Sequence, residues 1–137
     1  MPRHFELFDW VEAFGGRVVL DGTLSGERGL PPPFDRERLA QDPLSALVEA
    51  YFEGIPDVFR RPNSALFAWL RQRLAERGAR GVILWHYAWC DLWLAEVSRL
   101  KEELGLPLLH LDAGDTAELN PQMVKRVEAF LEVLTRE

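Results

Sequence analysis

The only cysteine of the chain, Cys90, lies four residues after His86 in the stretch Gly81-Val-Ile-Leu-Trp-His-Tyr-Ala-Trp-Cys-Asp-Leu-Trp93. A thiol at a helix start with an imidazole nearby is the equipment of a nucleophile, a redox thiol or a metal ligand. The thiolate is the reactive and ligating form, and a helix N-terminus favours it. The same thiol also fits as a small hydrophobe under the tryptophans, since free cysteine is among the most buried residue types. Asp91, directly after it, joins Cys90 and His86 as a catalytic candidate. His110, flanked by leucines in Pro107-Leu-Leu-His-Leu-Asp112, reads first as a hydrogen-bonded core histidine and second as a ligand. Asp112 and Asp115 offer acid and base chemistry or the ordinary use of Asp in a turn. One Cys with scattered His lacks the paired short spacings of a zinc site, and one thiol cannot supply the four thiolates of a usual iron–sulfur cluster.

Periodicity supplies the elements that must position these groups. Phe5, Phe8, Val11 and Phe14 share one helical face, and Gly15-Gly16 ends that run. Arg17 to Asp21 is short and β-branched and reads as a strand. Gly22 to Pro33, with its glycines and three consecutive prolines, is a loop. Asp42-Pro43 starts a helix, with Leu44, Leu47, Val48 and Tyr51 at helical spacing. Residues 54–62 connect to a helix capped by Asn63, with Leu66, Trp69 or Leu70, and Leu74 inward, ending near Gly78. Val82 to Trp85 is the second strand. Asp91 starts a helix whose stripe is Trp93, Val97, Leu100 and Leu104, closed by Gly105 in a left-handed cap. Pro107 to Asp112 is the third strand. Asn120-Pro121 opens the last helix, with Val124, Val127, Leu131 and Leu134 inward.

Apolar strands alternating with helices predict a small three-layer α/β domain over 1–137, with a doubly wound parallel sheet of three to four strands. In such a sheet Asp21, His86 to Asp91 and Asp112 to Asp115 lie just past strand carboxyl ends and converge on one rim, the usual ligand position. The loop Gly22-Thr-Leu-Ser-Gly-Glu-Arg-Gly29, with Ser25 at its centre, follows the first strand. It is neither a Walker loop nor a dinucleotide fingerprint, so its alternatives are backbone approach to a ligand or plain flexibility. Asp21, Ser25, Asp112 and Asp115 are therefore the ligand-binding candidates. A small open-edged sheet favours self-association or a partner.

A formal net charge of −6 argues against nucleic acid, which needs clustered positive charge. The cluster Arg71, Arg73, Arg77 and Arg80 reads as a solvated helix face. Trp85, Trp89 and Trp93 lack the basic company of a base-stacking platform and read as core and interface anchors. No apolar run approaches the roughly 20 residues of a membrane span, and the N-terminus lacks the apolar core of a signal peptide. A single Cys fits a reducing compartment, so a cytoplasmic protein is expected.

Several segments in order resemble the C-terminal domain of the D-component subunits of 2-hydroxyacyl-CoA dehydratases, relatives of the benzoyl-CoA reductase subunits. They are Gly16-Arg-Val-Val-Leu-Asp-Gly22, Arg61-Pro62-Asn63, Gly81-Val82-Ile83, Trp89-Cys90-Asp91, Gly105-Leu106-Pro107 and Arg126-Val-Glu-Ala-Phe-Leu-Glu132. The resemblance implies a [4Fe–4S] cluster held by three cysteines per subunit. Cys90 matches the ligand of the family's Cys-Asp motif. Asp57 stands at the family's Pro-Cys position, Ser25 stands where many members carry Cys, and the third cysteine belongs to a region N-terminal to the matched domain. The implied reading is a stand-alone, degenerate dehydratase-like domain, accessory or binding a ligand or partner, without its own complete [4Fe–4S] site. The alternatives are a dehydratase-type lyase subunit in which Cys90 and a carboxylate such as Asp57 ligate a shared [4Fe–4S] cluster, or a thiol-dependent enzyme using Cys90 and His86. The expected partners are an acyl-CoA-like ligand and a second copy or sister subunit.

Overall fold

Val82 to His86 and Leu108 to Asp112 are runs of large apolar residues that carry one histidine each, at the end of the first and in the middle of the second. In the computed structural model, which describes residues 4–114 and 120–136, they form a parallel pair. The strands are β1 (Val82–His86) and β2 (Leu108–Asp112), with Val82 opposite Leu108 and His86 opposite Asp112. The helices, in chain order, are α1 (His4–Ala13), α2 (Arg36–Gln41), α3 (Pro43–Val48), α4 (Ser64–Glu76), α5 (Asp91–Ala95), α6 (Val97–Leu104) and α7 (Pro121–Arg136). The chain divides into two compact units, one of Met1–Val19 with Leu74–Glu137 and the other Leu20–Arg73.

In the first unit the side chains of the strands alternate between faces. Ile83, Trp85, Leu109 and Leu111 pack on a buried cluster formed with Leu7 and Val11 of α1 and Met123 and Val127 of α7. Leu111 and Val127 are fully buried. The chain leaves α1 through Gly15, whose φ of 79° suits glycine. Gly81 lies against Phe130 and Leu134, leaving no room for a Cβ without displacing them. The caps read from sequence are in place. The Met123 amide donates to Asn120 Oδ1 at 2.9 Å, and Gly105 takes the left-handed conformation with φ 63°.

Three expectations are corrected. The described residues contain a two-stranded sheet, not one of three to four strands. Arg17 to Asp21 joins no ladder, although Val18 packs against the core cluster. Strand propensity measures fit to a half-buried surface more than backbone preference. Here Val18 finds that surface without pairing. The helix expected from Asp91 to Leu104 is interrupted at Glu96, a buried residue that ends α5 and precedes α6.

The second unit is organised by a buried charge pair. Arg28, 5% exposed, sits in the glycine-rich loop just after a turn closed by Asp21. Its Nε donates to the Gly22 carbonyl at 2.8 Å and its Nη1 to the Pro56 carbonyl at 3.1 Å. The same Nη1 pairs with Asp57 Oδ2, and Asp57 Oδ1 accepts from the Phe59 amide at 3.0 Å. One guanidinium therefore ties residues 22–29 to residues 55–59, and this loop is a fixed element rather than a plain flexible one. Gly29 is required there, because a Cβ would strike the Leu24 carbonyl. Asp35 caps α2 by accepting from the Glu37 and Arg38 amides, and Asp42 caps α3 by accepting from the Ser45 amide at 3.2 Å. A wide π turn over Glu49–Glu53 continues α3, closed by the Gly54 amide donating to the Glu49 carbonyl at 2.9 Å. Asn63, buried, precedes α4, and Leu66 and Phe67 are the inward side chains of its first turn.

Removing one member of a buried ion pair strands the other charge, so Asp57→Ala or Arg28→Ala costs about 3–5 kcal/mol of stability. The double variant Arg28→Met, Asp57→Leu recovers most of that loss. Urea unfolding of the three variants measures both effects, and single variants as stable as the parent would show the pair to be dispensable.

Candidate functional site

β1 ends on His86, and β2 carries His110 two residues before its end. The register pairs Leu84 with His110, so His86 and His110 are diagonal neighbours on the sheet face opposite the Leu109–Leu111 core. Their Nε2 atoms lie 2.5 Å apart. The ring centres are 4.8 Å apart with 12° between the planes. That separation exceeds the nitrogen distance by only about two ring radii. The imidazoles therefore meet end-on in nearly one plane, and face-to-face stacking is ruled out.

This arrangement fixes the protons. His86 Nδ1 lies 2.7 Å from the Tyr87 carbonyl, which can only accept, so Nδ1 carries hydrogen. Neutral His86 then presents a lone pair at Nε2, and His110 donates its Nε2–H to it. A single proton on the axis between two lone pairs suits this geometry. A tetrahedral metal would need the two lone pairs to meet at an angle. Among the described residues no three His, Cys, Asp or Glu side chains are grouped to hold a metal ion.

His110 resists charging. Burial, first, then the neighbouring His86, Arg126 of α7 and Lys101 of α6 push the His110 pKa below its ordinary 6.5, against an opposing pull from Asp112. Arg126 also donates from Nη2 to the His110 carbonyl at 2.7 Å, which holds that cation beside the strand.

From His86 the chain enters a tight turn in which the Cys90 amide donates to the Tyr87 carbonyl at 2.9 Å. Cys90 is half-buried and precedes α5, and its thiol makes no capping hydrogen bond. Both ring nitrogens of His86 are engaged with Tyr87 and His110, which leaves none to activate the Cys90 thiol. Tyr87 and Trp89 on the turn are exposed, at 58% and 82%, as is Asp91. Trp85, by contrast, points into the core cluster. Asp112 at the end of β2 is exposed and accepts from the Gly114 amide at 3.0 Å, a turn role. The Ala113 amide donates to the His86 carbonyl at 2.8 Å and carries the pairing one residue past β2.

His86, Cys90, Asp91 and Asp112 thus belong to the strand-end rim of the first unit. Asp21, Ser25 and Asp57 belong to the second. Asp21 Oδ1 accepts from the Thr23 amide at 2.9 Å, its carbonyl accepts from Glu27, and Ser25 Oγ is 3.2 Å from Thr23 Oγ1. Asp115 lies outside the described residues. His110 has the hydrogen-bonded role read from its leucine flanks. Its partner had a weak signal, since both histidines fall on the same strand phase. Arg28 had none, because a lone arginine in a glycine-rich loop reads as solvated until Asp57 is placed beside it.

A parallel ladder flanked by helices, with polar groups and exposed aromatics at its carboxyl end, defines an α/β domain with a strand-end rim. The chain matches the family described as 2-hydroxyglutaryl-CoA dehydratase, D-component, over residues 1–134, and it belongs to that family. No curated protein matches it. The iron–sulfur cluster implied by the family resemblance asks for several thiolates. This chain has one, and the carboxylate at position 57 is committed to Arg28, so its donors do not fit a cluster held by this chain alone.

The depressed His110 pKa has a definite sign. The unfolded chain takes up a proton near pH 6.5 that folded His110 binds only at lower pH, so stability rises with pH across that window. Urea unfolding from pH 7 down to pH 5 will show falling stability in the parent and a shallower fall in His110→Asn. Equal slopes in both would refute the assignment.

Proposed function

We propose that this chain is a 2-hydroxyacyl-CoA dehydratase-like domain with an accessory role, binding an acyl-CoA-like ligand or a partner subunit at the strand-end rim of its first unit. In this reading it assembles no complete [4Fe–4S] cluster of its own. The observation that carries the reading is the state of the family's ligand positions. Cys90 is the chain's single thiol, and the carboxylate at 57 neutralises a buried arginine instead of facing a metal. The exposed rings of Tyr87 and Trp89 beside Cys90 support binding, because flat aromatic surfaces suit an acyl chain or an adenine base.

A second reading is favoured by the Cys90 thiol's freedom from capping. There it ligates a [4Fe–4S] cluster shared with another subunit, in a dehydratase-type lyase.

Anaerobic reconstitution with iron and sulfide separates the two readings. The accessory reading expects substoichiometric iron that washes out and is unchanged in Cys90→Ser. Near four irons per chain or per dimer, lost in Cys90→Ser, would establish the shared cluster instead. Titration with a short-chain 2-hydroxyacyl-CoA, followed by tryptophan fluorescence, tests the ligand. Saturable quenching is expected, with about tenfold weaker binding in Trp89→Ala. No response at millimolar thioester would remove the acyl-CoA ligand.

A further inference from the structure

The helical segment of the second unit over residues 43–53 is amphipathic in the reverse sense. Its buried residues are the small Ala46 and Ala50. Its large apolar side chains point outward: Leu44 is 71% exposed, Phe52 is 78% exposed, and Leu47, Val48 and Tyr51 are each about half exposed. These five positions follow the i, i+3, i+4, i+7, i+8 pattern of one helical stripe. The π turn over Glu49–Glu53 keeps Tyr51 and Phe52 on that side. A surface helix normally buries such a stripe and exposes its small or polar residues.

The area of the stripe indicates what covers it. Aromatic side chains carry roughly 150–250 Å² each and leucine or valine somewhat less, so the five exposed fractions amount to on the order of 500 Å² of apolar surface. That lies in the upper part of the range for the largest apolar patch of a monomer. A standard interface takes about 800 Å² from each partner, and about 65% of a homodimer interface is apolar, again on the order of 500 Å² per copy.

The charge pattern suits an identical partner. A two-fold contact brings the same patch against itself, so an unbalanced charge within it would meet its own copy. The stripe contains none. Glu49 at its edge is already paired with Arg38 of the same chain. At its far end Arg60 donates to the Glu53 carbonyl, which brings a cation to the end of the helix that carries the stripe.

We propose that the Leu44–Phe52 face is a homodimer interface, on which a second copy of this chain packs its own residues 43–53 across a two-fold axis. The interface is independent of whether the rim binds an acyl-CoA ligand.

Sedimentation equilibrium of the full chain tests this. A reversible monomer–dimer equilibrium is expected. Added salt will favour the dimer, because the contact is apolar and each chain carries a net charge of −6. The variant Val48→Glu, Phe52→Glu places four carboxylates in the contact and weakens dimerisation by about a hundredfold. Far-ultraviolet circular dichroism and the melting midpoint of its monomer should match those of the parent monomer. If that variant misfolds, Leu44→Ser, Leu47→Ser reads the same loss without added charge. A parent that stays monomeric at all concentrations, or a dimer that persists in a folded variant, overturns the proposal.

Discussion

The first unit depends on one constraint: a parallel pair of strands buries nothing by itself. β1 and β2 expose two faces and two edges, and parallel ladders persist where both faces are covered. On one face α1 and α7 supply Leu7, Val11, Met123 and Val127 against Ile83, Trp85, Leu109 and Leu111. The other face carries His86 and His110. Polar groups set into a covered face must satisfy each other, because an unmade hydrogen bond there costs more than a made one contributes. The imidazoles do so end-on, and the outer nitrogen of His86 is spent on the first carbonyl of the following turn. The turn bearing Tyr87, Trp89 and Cys90 is therefore anchored to the ladder by a side chain as well as by the backbone bond from Ala113.

What the sequence revealed, and what it hid, follows from how local each signal is. Asn120 and Asp42 announced their helices because a cap needs only a side chain and an amide two or three residues on. Gly105 announced its left-handed turn for a similar reason. The two paired strands were legible as apolar runs. Arg17 to Asp21 carried the same residue types and misled, because joining a ladder depends on what lies alongside. α2 has six residues, too few for periodicity, and only the Asp35 cap marks it. The break at Glu96 falls inside a continuous apolar stripe and left no trace in the pattern.

The candidate site was partly legible on the same terms. The strand-end positions of His86, Cys90, Asp91 and Asp112 followed from the order of elements. The meeting of His86 with His110 needed the register, and the meeting of Arg28 with Asp57 needed the fold of a 29-residue span. Periodicity likewise identified Leu44, Leu47, Val48 and Tyr51 as sharing a face. It could not say that the face is turned away from the unit that carries it.

The pairing of Arg28 with Asp57 also couples two distant positions of the chain to one another. Asp57 is the counter-ion of an enclosed guanidinium, and the same guanidinium reaches the Gly22 and Pro56 carbonyls. An uncharged residue at 57 would remove the counter-ion at the junction that holds the loop, and an uncharged residue at 28 would isolate the carboxylate. The cost of a change at either position therefore depends on what stands at the other. The two sites are epistatic, and a sequence can leave this pairing at little cost only by exchanging both.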